Sequence, residues 1–142
     1  MNFKPIATIL LSMSLAACAY TGGNTPVNSH ETSAGTVLTT PEGKTLYTFD
    51  KDRDGQSNCY GECAAKWPPY LAGQDAQPGG DYSIIVRKDG SQQWAHKGSP
   101  LYTWFKDTGP GDAAGNGRGG VWHVIPYETP KRQGGYGGGG SY

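Results

Sequence analysis

Short runs of alternating apolar and polar residues recur through the middle of the chain and predict β-strands. Between residues 45 and 50 the alternation places Leu46 and Tyr47 on opposite faces of one strand. The dipeptide Asp89-Gly90 separates two such runs and is a two-residue hairpin signal. By this pattern, strands are expected over residues 36–40, 45–50, 82–88, 91–96, 101–106 and 121–125.

The other central segments lack this alternation. Residues 59–67 are expected to form one helical turn, which ends at Pro68 and Pro69. The Gly-rich segments 71–81 and 108–120 are expected to be loops, and the Gly-rich run from Gly109 to Gly120 is expected to be flexible. The pattern therefore predicts an all-β or mostly β fold, a small domain of short antiparallel strands with one short helical turn and Gly-rich loops.

An internal repeat runs through these strands. When residues 43–67 are aligned with residues 98–122, an offset of 55, seven of the 25 positions are identical. About two identities are expected by chance in such an alignment, and Phe49 also meets Trp104, an aromatic for an aromatic. The repeat predicts a domain with pseudo-twofold character.

The start of the chain has the pattern of a secretory signal. Lys4 and a short apolar run over 6–15 precede Leu15-Ala16-Ala17-Cys18, which resembles a bacterial lipobox. That resemblance implies cleavage before Cys18 and attachment of diacylglycerol to its thiol. Ala19 resembles an outer-membrane sorting signal if the host is Gram-negative. We therefore expect a lipid-anchored domain of the cell envelope that is periplasmic or surface-exposed.

These signals divide the chain into four parts. The segment after Cys18 is rich in Gly, Asn, Thr, Ser and Pro, which is typical of a flexible tether. The C-terminal end is of low complexity and is expected to be disordered. The expected organisation is a lipoprotein signal peptide at 1–17, lipidated Cys18 and tether at 18–34, a β domain at 35–127, and a Gly-rich tail at 128–142.

Composition and charge argue against two classes of protein. The 142 residues include 23 Gly and 10 Pro, and 12 Lys and Arg are balanced by 12 Asp and Glu. A nucleic-acid-binding protein needs a basic surplus to neutralise phosphates, and a polybasic membrane-surface protein needs one to attract anionic lipids. We therefore expect no nucleic-acid partner, and membrane attachment only through the lipid.

A pair of matching motifs links the repeat to a known family. The form Y-x-[FWY]-x-x-D occurs twice, at Tyr47, Phe49 and Asp52 and again at Tyr102, Trp104 and Asp107. Between the copies lies the element Cys59-x-Gly61-x-Cys63-Ala64-x-x-Trp67-Pro68-Pro69. Over about residues 35–126 the chain resembles the bacterial predicted lipoproteins with the Yx(FWY)xxD motif, a secreted repeat family of unknown function. The resemblance implies an architecture and a location, but no activity.

The motif aromatics are expected to form a core. Aliphatic residues are scarce in the β domain, whereas each aromatic side chain buries about 150–250 Å². We therefore expect Trp67 and Trp122 to be essential for folding, and Asp52 and Asp107 to cap turns through backbone N–H groups. A platform of exposed aromatics that stacks on sugars is the alternative interpretation.

Two cysteines remain for the folded domain. Cys59 and Cys63 are four residues apart and are expected to pair in an oxidising compartment. The alternative is a metal or redox pair, in which soft thiolates favour copper and His123, His96 or His30 supplies a third ligand.

No catalytic constellation is visible. The segment from Asp50 to Gly55 spells D-x-D-x-D-G, the start of a calcium loop, but Gly61 stands where the twelfth-position Glu belongs. No nucleophile and base can be nominated. We therefore predict a non-enzymatic binding or structural module without a cofactor, whose ligand is a protein or a glycan. The alternative is an extracytoplasmic copper or redox accessory protein.

Overall fold

The structure, a computed structural model, describes residues 26–129. The predicted signal peptide, the lipidation site Cys18 and the tail from residue 130 onward lie outside the described residues. Most of the secondary structure is short strands, with one helical turn and one 3₁₀ turn at Arg118–Gly120. The elements are β1 (Asn28–Thr32), β2 (Gly35–Thr39), β3 (Tyr47–Phe49), α1 (Glu62–Lys66), β4 (Tyr82–Val86), β5 (Gln92–His96), β6 (Ser99–Pro100) and β7 (Trp122–Val124).

Three small antiparallel sheets hold these strands. β1 pairs with β2, β3 pairs with β7, and β4, β5 and β6 form the third sheet in that order. The mostly β, antiparallel fold predicted from the alternation is confirmed. No helix within residues 26–129 has the length and apolar character that crossing a membrane requires.

The first strand lies inside the segment that was predicted to be a tether. Strand β1 hydrogen-bonds to β2 from Asn28↔Thr39 to Thr32↔Gly35, and Val27 just before it is buried in the core. The β1 side chains are largely exposed, so the strand carries no apolar signal and its composition resembles that of a linker. The boundary at residue 34 is therefore wrong for residues 27–34, which belong to the folded domain.

A second difference concerns residues 101–106. A full strand was predicted there, but β6 is only Ser99–Pro100, and beyond it Tyr102 makes isolated bridges to Tyr47 and Pro69. Sequence alternation cannot distinguish a strand from an extended segment whose hydrogen bonds go to two different partners. Phe105 N donates to Lys66 O, which ties this segment to the end of α1.

The two halves of the domain are related by a pseudo-twofold arrangement. The hairpin β1–β2 corresponds to the hairpin β4–β5, and each is followed by a copy of the motif segment. At the centre Tyr47 N donates to Tyr102 O at 2.8 Å, and Tyr102 N donates to Tyr47 O at 3.0 Å. The pseudo-twofold axis therefore passes between the two motif tyrosines.

The interior consists of two clusters. The first is aliphatic apart from one indole and contains Val27, Leu38, Leu46, Trp94, Leu101 and Ile125. The second is almost entirely aromatic and contains Tyr47, Cys59, Trp67, Tyr102, Trp104 and Trp122. The expectation that aromatics supply much of the core is confirmed.

Candidate functional site

The motif aspartates and tyrosines pair across the repeats rather than within them. The Tyr47 hydroxyl donates to Asp107 Oδ2 at 2.6 Å, and the Tyr102 hydroxyl donates to Asp52 Oδ2 at 2.7 Å. Each tyrosine of one repeat is thus bound to the aspartate of the other. This exchange of side-chain partners links the two halves at the centre of the domain.

The same aspartates also bind backbone groups. Asp52 Oδ1 accepts from Asn58 N at 2.7 Å, and Asp107 Oδ1 accepts from Ala114 N at 3.0 Å. The predicted role of these carboxylates, capping a turn through a backbone N–H, is therefore present in both copies. The second oxygen of each carboxylate makes the contact that the sequence did not reveal.

Burial dominates the protonation behaviour of these groups. Desolvation raises the pKa of Asp52 and of Asp107 above the ordinary value, and the hydrogen bonds that each accepts oppose this rise. Desolvation likewise raises the pKa of both Tyr47 and Tyr102 far above the ordinary value. The two hydroxyls therefore stay protonated at neutral pH and serve as donors to the carboxylates.

The aromatic side chains stack around the same axis. The rings of Trp67 and Trp122 lie parallel, with centroids 3.8 Å apart and an interplanar angle of 5°. Trp104 packs on Trp67 at 4.1 Å, and Phe49 packs on Trp122 at 4.1 Å. Tyr47 and Tyr102 are fully buried and the other motif rings lie in the same cluster, so these aromatics form the core and offer no sugar-stacking platform.

The Gly-rich loop before β7 takes part in this core. A Cβ atom on Gly115 would lie 2.7 Å from Cη2 of Trp67 and 2.9 Å from Cζ of Tyr47, which is too close for any side chain. Gly115 N also donates to the Tyr47 hydroxyl at 3.2 Å. The loop read from its composition as flexible therefore packs directly on the motif residues.

A buried arginine, missed in the sequence, extends the network on one side. Arg87 is 4% exposed and donates to Ser57 Oγ at 2.9 Å, to Gln93 Oε1 at 2.8 Å and to Cys59 O at 2.7 Å. Ser57 Oγ lies 2.7 Å from the Tyr102 hydroxyl. Because the hydroxyl proton of Tyr102 goes to Asp52, Ser57 donates to Tyr102, and a chain of hydrogen bonds joins the Arg87 cation to the Asp52 carboxylate.

The alternating pattern of the second hairpin indicates that Arg87 is buried. Ile85 and Arg87 are two residues apart in an extended segment, so they lie on the same face, and Ile85 is in the core. An arginine on the core face of a strand needs buried acceptors. The sequence could have shown that Arg87 is buried, but not that Ser57, Gln93 and the Cys59 carbonyl accept from it.

The two cysteines of the domain form the predicted disulfide. The sulfur atoms of Cys59 and Cys63 are bonded, and their Cα atoms are 5.3 Å apart across the start of α1. In this state neither sulfur is a thiolate, which is the form that ligates copper. The contact between Arg87 and the Cys59 carbonyl ties the disulfide to the hydrogen-bonded centre.

The histidines and the acidic run supply the residues considered for a metal centre. His123 Nε2 lies 2.8 Å from Asp50 Oδ2, His96 is half-buried in β5, and His30 is exposed on β1. Both carboxylate oxygens of Asp52 already accept hydrogen bonds, one from Asn58 N and one from the Tyr102 hydroxyl. Among residues 26–129, no three side chains of His, Cys, Asp or Glu are grouped closely enough to hold a metal ion.

An open cleft lies at the edge of the first core cluster. It has a volume of about 870 Å³, and Leu38 and Ile125 are among the apolar residues that line it. Tyr82 and His96 line another part of it, with ring centroids 5.0 Å apart. Desolvation and the neighbouring Lys97 lower the pKa of His96, so its imidazole is neutral at neutral pH.

The fold and its centre define a β domain of two repeats, in which the motif tyrosine of each repeat binds the motif aspartate of the other. The chain belongs to a family described as a secreted repeat of unknown function, whose profile matches residues 29–70 and 83–125, together more than half of the chain. The two matches begin in β1 and in β4, which are equivalent strands of the two repeats. Family membership places the chain with secreted proteins of the envelope or the extracellular space. Comparison with curated proteins and comparison with solved structures gave no match.

Proposed function

We propose that this protein is a lipid-anchored, non-enzymatic module of the cell envelope that binds another envelope component or supports it structurally. The observation that carries the proposal is the exchange at the centre of the domain. The Tyr47 and Tyr102 hydroxyls are buried, and each is bound to the carboxylate of the other motif, so these four groups are engaged with one another. Such an arrangement builds a stable platform rather than a reaction centre.

Attachment to the membrane rests on the lipobox-like sequence that ends at Cys18. The segment between Cys18 and the first core residue, Val27, is short and polar, so the domain would lie close to the lipid headgroups. With a formal net charge of zero, the chain has no basic surplus to hold it on anionic lipids or nucleic acid. The lipid is then the membrane contact, and the folded domain carries the binding function.

Metabolic labelling tests the anchor. In a bacterial host grown with radiolabelled palmitate, we expect the wild-type chain to be labelled and recovered with membranes. Cys18→Ser should remove the label, because it removes the thiol that accepts the lipid. Cys63→Ser is the matched control and should keep the label. A Cys18→Ser chain that is labelled as strongly as wild type contradicts the proposal.

Native mass spectrometry of the full chain extracted from envelopes tests the absence of a cofactor. We expect a mass two hydrogens lower than that of the reduced chain, from the Cys59–Cys63 disulfide, and no metal adduct. Ligand that remains bound during extraction should appear as an added mass of an organic compound. A copper adduct that is removed by a chelator would instead support the metal accessory function, and a calcium adduct would support the acidic loop at residues 50–55.

A further inference from the structure

Because the domain has pseudo-twofold symmetry, the residues of the cleft can be compared with the equivalent residues in the other half. Leu38 N donates to Ile125 O in one half, and Trp94 N donates to Tyr70 O at the equivalent place in the other half. Leu38 and Ile125 of the cleft therefore correspond to Trp94 and Tyr70. On one side the two positions are aliphatic, and on the other side they are aromatic.

This difference in size explains why one side is open. Trp94 is buried in the first core cluster, Tyr70 packs against it, and the Tyr70 hydroxyl donates to the Pro26 carbonyl. These large rings occupy space that Leu38 and Ile125 leave empty in the other half. Because folded interiors are close-packed, a space left open on one side of a repeated fold is not required by the fold itself.

The residues around the opening also differ between the repeats. The strand registers Asn28↔Thr39 and Ser83↔Ala95 make Tyr82 equivalent to Val27. The bridges Val37↔Pro126 and Leu71↔Gln93 make Tyr127 and Glu128 equivalent to Ala72 and Gly73. The motif residues at the centre of the fold are alike in the two repeats, whereas Tyr82, Tyr127 and Glu128 at the cleft have no aromatic or acidic counterpart in the other repeat.

We propose that this cleft binds a short, uncharged saccharide of the cell envelope. The inference rests on the proposed function and names the ligand class for it. The rings of Tyr82 and Tyr127, above the buried side chains of Leu38 and Ile125, suit the C–H faces of sugar rings. The Asp81 and Glu128 carboxylates and the Ser99 hydroxyl, which also line the cleft, are acceptors for sugar hydroxyl groups.

The charges in the cleft disfavour an anionic ligand. Lys97 Nζ lies 3.5 Å from Glu128 Oε2, so the one lysine of the lining is already paired, and the Asp81 carboxylate adds a negative charge. A phosphate or a carboxylate would therefore meet net repulsion. A volume of about 870 Å³ is within the range of about 300–1,000 Å³ that is typical of small-ligand sites.

A tight turn at Lys97 forms one side of the cleft. Lys97 has φ 48°, in the left-handed region, at the two-residue turn between β5 and β6 where Asn or Gly is favoured. Lys97 N donates to Asp81 O at 2.7 Å, which holds the turn against the start of β4. A two-residue turn of this type requires a positive φ at both central residues, and Gly98 has one as well.

Calorimetric titration of the full chain with two neutral probes, tetra-N-acetylchitotetraose and cellotetraose, tests the inference. We expect a saturable heat with at least one of them and a Kd below about 1 mM. Two variants introduce the residues found at the equivalent positions of the first repeat. Ile125→Tyr should fill the cleft, and the double variant Tyr127→Ala and Glu128→Gly should remove the aromatic ring and the carboxylate from its edge. Each should weaken binding by at least about tenfold.

If Ile125→Tyr does not fold, the double variant still tests the inference, because Tyr127 and Glu128 are both on the surface. Leu71→Ala is the matched control, since it alters an exposed apolar side chain outside the cleft and should leave the Kd unchanged. Wild type that binds neither sugar, or a double variant that binds as well as wild type, overturns the inference. If the chain is labelled with palmitate but binds neither sugar, this inference fails and the proposal of a lipid-anchored module stands. If the chain binds sugar but is not labelled, only the proposal of a lipid anchor fails.

Discussion

Trp67→Ala and Trp122→Ala are each expected to unfold most of the domain at 37 °C. The two indoles are stacked at 3.8 Å and each packs on a further ring, so alanine leaves a large cavity at the pseudo-twofold axis. Replacing a buried Trp by Ala costs about 3–5 kcal/mol, which is most of the stability of a small domain at the low end of about 5–15 kcal/mol. Thermal unfolding followed by near-UV circular dichroism measures the effect.

A control variant distinguishes the loss of stability at Trp67 and Trp122 from the effect of removing any aromatic ring. Phe105→Ala removes a ring that is 49% exposed, and it should change the free energy of unfolding by about 1 kcal/mol or less. Because Trp67 and Trp122 are equivalent by the repeat, their substitutions should have similar costs. If both variants melt within a few degrees of wild type, the aromatic cluster is not the main source of stability.

Arg87→Met is expected to lower the free energy of unfolding by about 3 kcal/mol. The substitution leaves Ser57 Oγ, the Gln93 side-chain oxygen and the Cys59 carbonyl without their buried donor, and each such loss costs about 1–3 kcal/mol. It also removes the positive charge that helps to stabilise the Asp52 carboxylate. Urea unfolding monitored by tryptophan fluorescence measures the change.

Two further variants test the origin of that loss. Lys88→Met removes the charge of the next residue, which is exposed, and should change stability by less than about 0.5 kcal/mol. Arg87→Lys keeps the charge but cannot serve all three acceptors, so its stability should lie between wild type and Arg87→Met. An Arg87→Met variant as stable as wild type would mean that the cost of burying the cation cancels its hydrogen bonds.

The predictions from sequence were most successful where a local pattern was strong. The hairpin around Asp89-Gly90, the helical turn before Pro68 and the aromatic core all follow from side-chain chemistry along the chain. The hairpin loop is one residue longer than the two residues predicted, because Arg87 N donates to Ser91 O and three residues lie between them. The disulfide was expected from the presence of two cysteines in a secreted domain and is present. In each case the relevant residues are close in sequence or share a clear physical property.

The predictions failed where a segment depends on distant partners. Strand β1 buries almost no side chain of its own and forms through its ladder with β2, so its polar composition suggested a tether. Residues beyond Tyr102 have the alternation of a strand, yet they hydrogen-bond to separate segments. The Gly-rich loop around Gly115 was assigned as flexible because its close approach to Trp67 exists only in the folded domain.

The sequence by itself determined that the domain is a mostly β double repeat with an aromatic core and a Cys59–Cys63 pair. Two copies of one motif at a constant offset require two equivalent environments, and scarce aliphatics require the rings to be buried. Only the tertiary structure decided that Tyr47 binds Asp107 while Tyr102 binds Asp52, because an exchange and an in-repeat pairing have identical sequences. It also decided that one half of the repeat is filled and the other holds a cleft, since that difference depends on which side chains meet across the fold.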